Sequence, residues 1–201
     1  NLFWLGRYTE RAENSLRLSR LTLDCLNGDR RSSVPLLTWL GQMASNNVLV
    51  QSEVPMPAQR RRVFERSLVA SLANTAISGS VGYNLNCIKQ AAFAVRERLS
   101  EEHWKVIVHA QEEFFRRCTE YQSEGNYQTL DALRVLDTTS GYLAAITGAQ
   151  TDRMTRDDGW RLLSIGRHIE RLGFLAASLE LGFSTGSVHD ASGFEAMIAL
   201  F

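Results

Sequence analysis

The sequence contains little proline and little cysteine, and each shortage makes a class of protein unexpected. Only 3 of the 201 residues are proline, and long stretches are rich in Ala, Leu, Arg and Glu. This composition favours helices, because strands would bring more alternation of β-branched residues and more turn residues. The 3 cysteines, Cys25, Cys87 and Cys118, are widely spaced and form no C-x-x-C pair. A disulfide scaffold or a zinc site is therefore not expected.

The chain also lacks a surplus of charge of either sign. Its 22 basic and 22 acidic residues give a formal net charge of zero. Non-specific binding to nucleic acid or to anionic membranes draws on a basic surplus, so neither partner is expected. Nearly all of the positive charge is arginine, since Lys89 and Lys105 are the only lysines. Arginine suits carboxylates and phosphates, although a GC-rich genome is the simpler explanation of the bias.

Long apolar runs are missing as well. No run approaches the roughly 20 residues that a membrane-spanning helix needs, and no signal-peptide pattern opens the chain. We therefore expect a cytoplasmic protein. Because Asn1 lies in the middle of a helical pattern, we also expect further residues to precede it.

Apolar spacing predicts an all-α fold, a single bundle-like domain of about seven or eight helices over residues 1–201. The predicted helices are Asn1–Leu26, Val34–Ala44, Arg61–Ala73, Val81–Leu99, Ser100–Glu120, Gln128–Thr147 and Asp152–Leu181, with a short amphipathic tail ending at Phe201. Asn27-Gly28-Asp29 is expected to end the first helix with a left-handed residue. A loop is predicted over Ser45–Pro57, and a polar break over Tyr121–Tyr127.

One phrase occurs twice, about 160 residues apart. The two copies are Leu5-Gly6-Arg7-Tyr8-Thr9-Glu10-Arg11 and Ile165-Gly166-Arg167-His168-Ile169-Glu170-Arg171. Glycine, arginine, glutamate and arginine recur in register. On a helix, the three charged residues of each copy are three or four positions apart, so their side chains project toward one side.

The glycine of each copy suggests how the two helices meet. A mid-helix glycine costs about 1 kcal/mol relative to alanine, and close approach of another backbone is the usual compensation. We therefore predict that two central, roughly antiparallel helices cross at Gly6 and Gly166, with their charges interlocked about a pseudo-twofold axis. The predicted pairs are Glu10 with Arg167 or Arg171, and Glu170 with Arg7 or Arg11.

Two arginines for each glutamate leave the joint cluster with about two surplus positive charges, which require an anion if the cluster is buried. Glu13 and either Asp157 or Asp158 are candidates within the protein, and they would close a purely structural ion-pair network. Otherwise the anion is a phosphate or a substrate carboxylate. In that case the binding residues are Arg7, Glu10, Arg11, Arg167, Glu170 and Arg171.

No metal or other cofactor is predicted, and no catalytic residue is identified. A di-metal helical bundle needs Glu-x-x-His on two helices, whereas His109 and Glu112 show only the reverse order. No Gly-rich phosphate loop follows a strand pattern, so the usual nucleotide-binding motifs are missing too.

The start of the chain, Asn1-Leu2-Phe3-Trp4-Leu5-Gly6-Arg7-Tyr8-Thr9-Glu10-Arg11-Ala12-Glu13-Asn14, resembles the start of the bacterial Alpha-E family, an all-helical domain named for its Glu-Arg motif. Gly159–Arg171 is similar to the second motif of that family, and Val95–Trp104 to its central segment. The resemblance covers nearly the whole chain. The sequence departs from the family at Lys89–Phe93, which is poorer in Arg, Glu and Asn, so a site lined by that helix would bind a different ligand or bind less.

The resemblance implies a genomic context more than a reaction. Alpha-E proteins are typically encoded beside circularly permuted ATP-grasp proteins and transglutaminase-like peptidases, in systems for peptide synthesis or protein modification. It therefore implies an accessory binding module for an ATP-grasp-type ligase or a transglutaminase-like peptidase, with a peptide or an anion as ligand. Two alternatives stay open. One is an enzyme acting on an amide bond with Glu10 or Glu170 as general base, and the other is a structural protein with a closed ion-pair core.

Overall fold

The computed structural model describes residues 1–28, 32–123 and 128–201, and these residues confirm the all-α prediction. The helices of the described part are α1 Leu2–Asn27, α2 Val34–Asn46, α3 Pro57–Ser71, α4 Val81–Phe93, α5 Glu101–Ser123, α6 Thr129–Asp152, α7 Asp158–Ser184 and α8 Ala191–Ala199. Two short 3-10 turns, Arg96–Arg98 and Ser187–His189, follow α4 and α7.

Polar residues at the predicted breaks explain where several helices begin. A side-chain oxygen accepts a hydrogen bond from a backbone N–H of the first turn at Ser33 of α2, Ser80 of α4, Asp157 of α7 and Asp190 of α8. The first amides of a helix have no partner within the helix, so each cap stabilises its start by about 1 kcal/mol.

Several helix ends differ from the predictions. Helix α4 ends at Phe93, whereas the prediction placed its end at Leu99. The buried residues Val95 and Leu99 are four positions apart, so they continue the helical pattern of the sequence through what is a 3-10 turn. Gly28 ends α1 with an extended backbone (φ −71°) and not a left-handed one. Asp29 lies outside the described residues. Of the predicted polar break, residues 121–123 are helical and 124–127 also lie outside them.

Helix α1 lies at the centre of the fold, as predicted. It packs against α2, α3, α4, α6 and α7. More than half of its 26 residues are buried, and they include polar residues such as Glu10 and Asn14 as well as Leu5 and Leu16. One hydrophobic cluster contains residues of all eight helices, with Trp39 and Phe64 among its largest side chains.

Helices α1 and α7 are parallel, so the prediction of a roughly antiparallel pair is wrong. Their contacts advance together along both helices. An added Cβ at Gly6 would meet Leu163, and one at Gly159 would meet Leu2. The pseudo-twofold axis therefore runs along the helix pair. Residue spacing within each motif is the same for either direction, which is why the sequence did not distinguish them.

The predicted crossing at Gly6 and Gly166 is confirmed. A Cβ added at Gly6 would lie 2.1 Å from the carbonyl oxygen of Leu163, and one at Gly166 would lie 2.2 Å from that of Phe3. Both distances are far inside van der Waals contact, so only glycine permits the two backbones to touch at these positions.

Within the described ranges, no helix combines the length and the apolar character needed to cross a bilayer.

Replacing Gly6 with alanine is expected to lower the free energy of unfolding by about 1–3 kcal/mol or more, because the new methyl group forces the helix backbones apart. Urea unfolding followed by circular dichroism measures the change. The matched control is Gly141→Ala in α6, where an added Cβ has nothing within 4 Å. There the better helix propensity of alanine should raise stability by up to about 1 kcal/mol. Effects of the same sign at both glycines would contradict a backbone contact at Gly6.

Candidate functional site

The crossing brings the six charged residues of the two motifs together in two groups. In the first group, Glu170 accepts hydrogen bonds from both motif arginines of α1. Arg7 Nε donates to Glu170 Oε1 at 2.6 Å. Arg11 Nη2 donates to the same oxygen, and Arg11 Nε donates to Oε2 at 3.4 Å. We call Glu170, Arg7 and Arg11 the Glu170 group.

The second group mirrors the first. Arg171 forms a two-pronged bond with Glu10, through Nε to Oε1 at 2.7 Å and through Nη2 to Oε2 at 2.9 Å. Arg167 Nη2 donates to Oε2 at 3.3 Å. We call Glu10, Arg167 and Arg171 the Glu10 group. Each glutamate therefore pairs with both arginines of the other motif, and the predicted pairing about a pseudo-twofold axis is confirmed.

The two groups differ in their access to water. In the Glu10 group the exposed fraction of the side chain is 0% for Glu10 and 9% for Arg167. In the Glu170 group the fractions are 14% for Glu170, 26% for Arg7 and 34% for Arg11. Arg171 is the exception in its group at 46%, and its hydrogen bonds to Glu10 raise its pKa above the usual arginine value. The Glu10–Arg167 pair is therefore closed to solvent, whereas the Glu170 group is partly open.

Two of the predicted internal counter-ions, Asp157 and Asp158, are not where the cluster needs them. Asp157 caps α7 and pairs with Arg98, so it does not neutralise the motif arginines. Asp158 is exposed and pairs with Arg161 in the next turn. For both aspartates the prediction is wrong, because the first turn of α7 precedes the crossing and Asp157 there is held by Arg98, in the turn that follows α4.

Glu13 lies closer but has its own partners. Its carboxylate accepts hydrogen bonds from Arg17 Nη2 at 3.1 Å and from the Thr147 hydroxyl. Its charge contributes to the raised pKa of Arg171, yet Arg17 cancels that charge locally. Four motif arginines thus face two motif glutamates, and one surplus positive charge remains on each side of the crossing.

A cavity of about 440 Å³ adjoins the Glu170 group, between α1, α7 and the loop that follows α2. Besides Arg7, Arg11 and Glu170, its walls carry amide and hydroxyl groups. The polar residues are Asn14, Ser15, Asn46, Asn47 and Ser78. Such groups donate hydrogen bonds to anions and fix the orientation of a ligand.

The backbone of the cavity wall is strained. Val48 lines the cavity with φ of 56°, a left-handed conformation that a β-branched residue rarely adopts. Gly79, which also lines the cavity, lies directly against this loop, since a Cβ there would lie 1.9 Å from the Asn47 carbonyl oxygen. Strain of this kind persists where the surrounding structure enforces it, and it is common at binding sites. The sequence predicts only a loop over Ser45–Pro57, and no signal in that segment identifies Val48.

Aromatic residues of α1 hold the cavity arginines in place. The Arg7 guanidinium lies 5.2 Å from the ring centre of Trp4 and 5.8 Å from that of Phe3. Arg11 lies 5.9 Å from the ring centre of Tyr8. Cation–π contacts at these distances each contribute about 0.5–1 kcal/mol at exposed sites. The sequence showed these rings only as apolar residues of the first two turns.

Two further cavities, of about 400 and 330 Å³, adjoin the Glu10 group and share Arg17 and Arg171. Their walls also contain Leu175 and Phe201 in one case, and Leu143 and Ala144 in the other. They offer a ligand fewer amide and hydroxyl groups than the cavity at Arg7 and Arg11. The cavity at Arg7 and Arg11 is therefore the better candidate site for a polar ligand.

The glutamates themselves offer little for catalysis as they stand. Every carboxylate oxygen of Glu10 and Glu170 accepts at least one hydrogen bond from an arginine. An arginine has five N–H donors, so Arg7 and Arg11 retain donors for a second anion after binding Glu170. The geometry thus presents the arginines, and not the carboxylates, to a ligand.

The described part of the chain contains no cluster of metal ligands. No group of three or more His, Cys, Asp or Glu side chains there could hold an ion. Cys25, Cys87 and Cys118 are not joined by disulfide bonds. His103 is buried, and burial lowers its pKa to about 4, so it is neutral at physiological pH.

Fold and site together define an all-helical domain whose central helices pair through reciprocal Glu-Arg contacts. The family model for Alpha-E, described as a predicted alpha-helical domain with a conserved ER motif, matches residues 1–201. The chain belongs to the Alpha-E family. The Glu-Arg dipeptide occurs here four times, and two of the copies, Glu10-Arg11 and Glu170-Arg171, lie at the helix crossing.

Relatives occur in mycobacteria. Proteins described as uncharacterized from Mycobacterium bovis and from two strains of Mycobacterium tuberculosis are each 29% identical to this chain over 199 residues. The match covers 92% of this chain and 22% of each relative. The chain therefore spans about a fifth of the length of these curated relatives. No solved structure matches the chain.

The unequal burial of the two groups predicts unequal costs of mutation. Glu10→Gln leaves Arg167 buried beside a neutral partner and is expected to lower the free energy of unfolding by about 3–5 kcal/mol. Glu170→Gln should cost clearly less, because Arg7 and Arg11 can be hydrated from the cavity. Urea unfolding of both variants measures the difference, with Glu180→Gln on the exposed side of α7 as the control. Equal losses at Glu10 and Glu170 would show that the two groups are energetically equivalent.

Proposed function

We propose that this chain is a binding module that holds the carboxylate or phosphate group of a ligand at Arg7 and Arg11. In this proposal it serves an ATP-grasp-type ligase or a transglutaminase-like peptidase in a bacterial system for peptide synthesis or protein modification. The observation that carries the proposal is the cavity of about 440 Å³ in which both arginines line a polar wall. The resemblance of the motifs to the Alpha-E family supports the choice of partner.

Charge explains why the cavity favours an anion. Arg7 and Arg11 together carry two positive charges, and Glu170 neutralises only one of them. Both guanidinium groups are partly desolvated, so a second anion here would meet a lower effective dielectric than at the surface. Hydrogen bonds between ionised partners are also roughly twice as strong as those between neutral ones.

Geometry explains why a planar or tetrahedral oxyanion suits the site. Arg7 and Arg11 lie one helical turn apart, and both are oriented toward α7 by their shared bonds to Glu170. Fork-shaped guanidinium donors bind carboxylate and phosphate oxygens in pairs. The asparagines at positions 14, 46 and 47 can hold the remainder of a peptide-like ligand, since their amides both donate and accept hydrogen bonds.

The chemistry of an ATP-grasp partner is compatible with such a site. These ligases activate a carboxylate as an acyl phosphate, and both species carry the oxyanions that arginine recognises. A module that presents the carboxylate end of a peptide would raise its local concentration beside the ligase.

Thermal unfolding of the purified protein with phosphate, ATP or a short acidic peptide tests the proposal. A ligand at about 100 times its Kd stabilises the folded state by about 2.7 kcal/mol, which for a domain of this size raises Tm by roughly 5–10 °C. The shift should disappear in Arg11→Ala and persist in Arg20→Ala, an arginine of the same helix that pairs with Asp137 outside the cavity.

Two results would count against the proposal. If neither phosphate, ATP nor the acidic peptide raises Tm, the cavity does not bind the proposed class of ligand. A shift lost in Arg171→Ala but kept in Arg11→Ala would move the site to the opposite side of the crossing.

A further inference from the structure

Helix α7 carries an exposed apolar stripe on its outer side. Its six large side chains are 41–64% exposed, and an exposed alanine completes the row. The residues of the stripe are Leu162, Ile165, Ile169, Leu172, Ala176, Leu179 and Phe183. Contiguous exposed apolar surface of this extent marks an interaction site on a folded protein.

The spacing of the stripe is that of a coiled-coil seam. Successive members are three and four residues apart in strict alternation over three heptads. A continuous 3.5-residue repeat favours a second helix that winds along the first. The stripe also lies opposite the buried side of α7, which includes Leu163, Phe174 and Ser178. Helix α7 thus carries apolar residues on both sides, and within the described ranges only its buried side packs against other helices.

A glycine beside the stripe supports a helix as the partner. Gly173 lies at an exposed position of α7, and a Cβ added there would have nothing within 4 Å. Gly166, one heptad earlier, permits the backbone contact with α1. Gly173 and the small Ala176 would allow an equally close approach on the outer side.

We propose that this stripe, α7 from Leu162 to Phe183, binds the same stripe of a second copy of the chain in a twofold symmetric dimer. A heptad seam needs a facing seam of the same repeat. Among the described residues, no other helix exposes large apolar side chains at this spacing over three heptads. Such a surface is self-complementary under twofold symmetry.

Charge and area are both compatible with self-association. The formal net charge of zero removes long-range repulsion between copies. The charged residues next to the stripe include Arg161 near one end and Glu180 near the other, so no block of like charge borders it. Seven side chains of this kind at about half exposure present on the order of 600 Å² per copy, which approaches the ~800 Å² per partner of a standard interface.

The dimer would also affect the cavity described above. Ile169 belongs to the stripe and lines the cavity, and Gly173 lines the cavity beside it. A second α7 would therefore lie along one rim of the cavity. Dimer formation itself does not depend on ligand binding, so the two proposals can fail independently.

Sedimentation equilibrium of the 201-residue chain without ligand, over a range of protein concentrations, tests the proposal. We expect a reversible dimer in the wild type and a monomer in Leu172→Glu and in Ile169→Glu. Both substitutions lie on the exposed side of α7, so circular dichroism and Tm of the monomeric state should be unchanged. The matched control is Leu130→Glu, a comparably exposed leucine of α6 outside the stripe, which should remain dimeric.

Each contrary result overturns the proposal. A wild type that is monomeric at every concentration would assign the stripe to a different protein or to another part of a longer chain. A dimer that survives both stripe variants, or one that Leu130→Glu dissociates equally well, would place the interface elsewhere.

Discussion

The structure depends on the direct contact between the backbones of α1 and α7. Gly6 and Gly166 each leave only enough space for a hydrogen atom against the facing carbonyl group. At that separation the arginines of one helix reach the glutamate of the other, and five ionic side chains are drawn partly or wholly out of water. Because α1 is surrounded by five other helices, a change at the crossing would alter the position of the whole core.

Approximate symmetry in the motifs does not produce symmetry in the site. Helix α6 lies against the Glu10 group, with Thr147 bonded to Glu13 and Gln150 bonded to Thr9. The loop after α2 lies against the Glu170 group instead, and it leaves a cavity there. The same Glu-Arg contacts therefore serve mainly to hold helices together on one side. On the other side they leave two arginines accessible to a ligand.

Helix α7 connects these features. Its inner side carries Arg167 and Glu170 to the crossing, Ile169 and Gly173 line the cavity, and its outer side presents the apolar stripe. A protein bound along the stripe would lie close to Arg7 and Arg11 without touching the buried Glu10–Arg167 pair. In this arrangement one helix, α7, packs against the centre of the domain, borders the proposed ligand site and contacts the proposed second copy.

Sequence alone determined the features that follow from local spacing. The helical period, the glycines that require a close neighbour and the reciprocal Glu-Arg pairs were all predictable, because i, i+3 and i, i+4 positions share a helix face whatever the tertiary structure. The direction of α7, the isolation of Asp157 and Asp158 from the cluster and the left-handed Val48 were not. They depend on how separate helices and loops are placed in space, since the order of contacts between distant segments has no local signal. For the same reason only the tertiary structure decided that the Glu10–Arg167 pair is closed to water and that the Glu170 group borders the polar cavity.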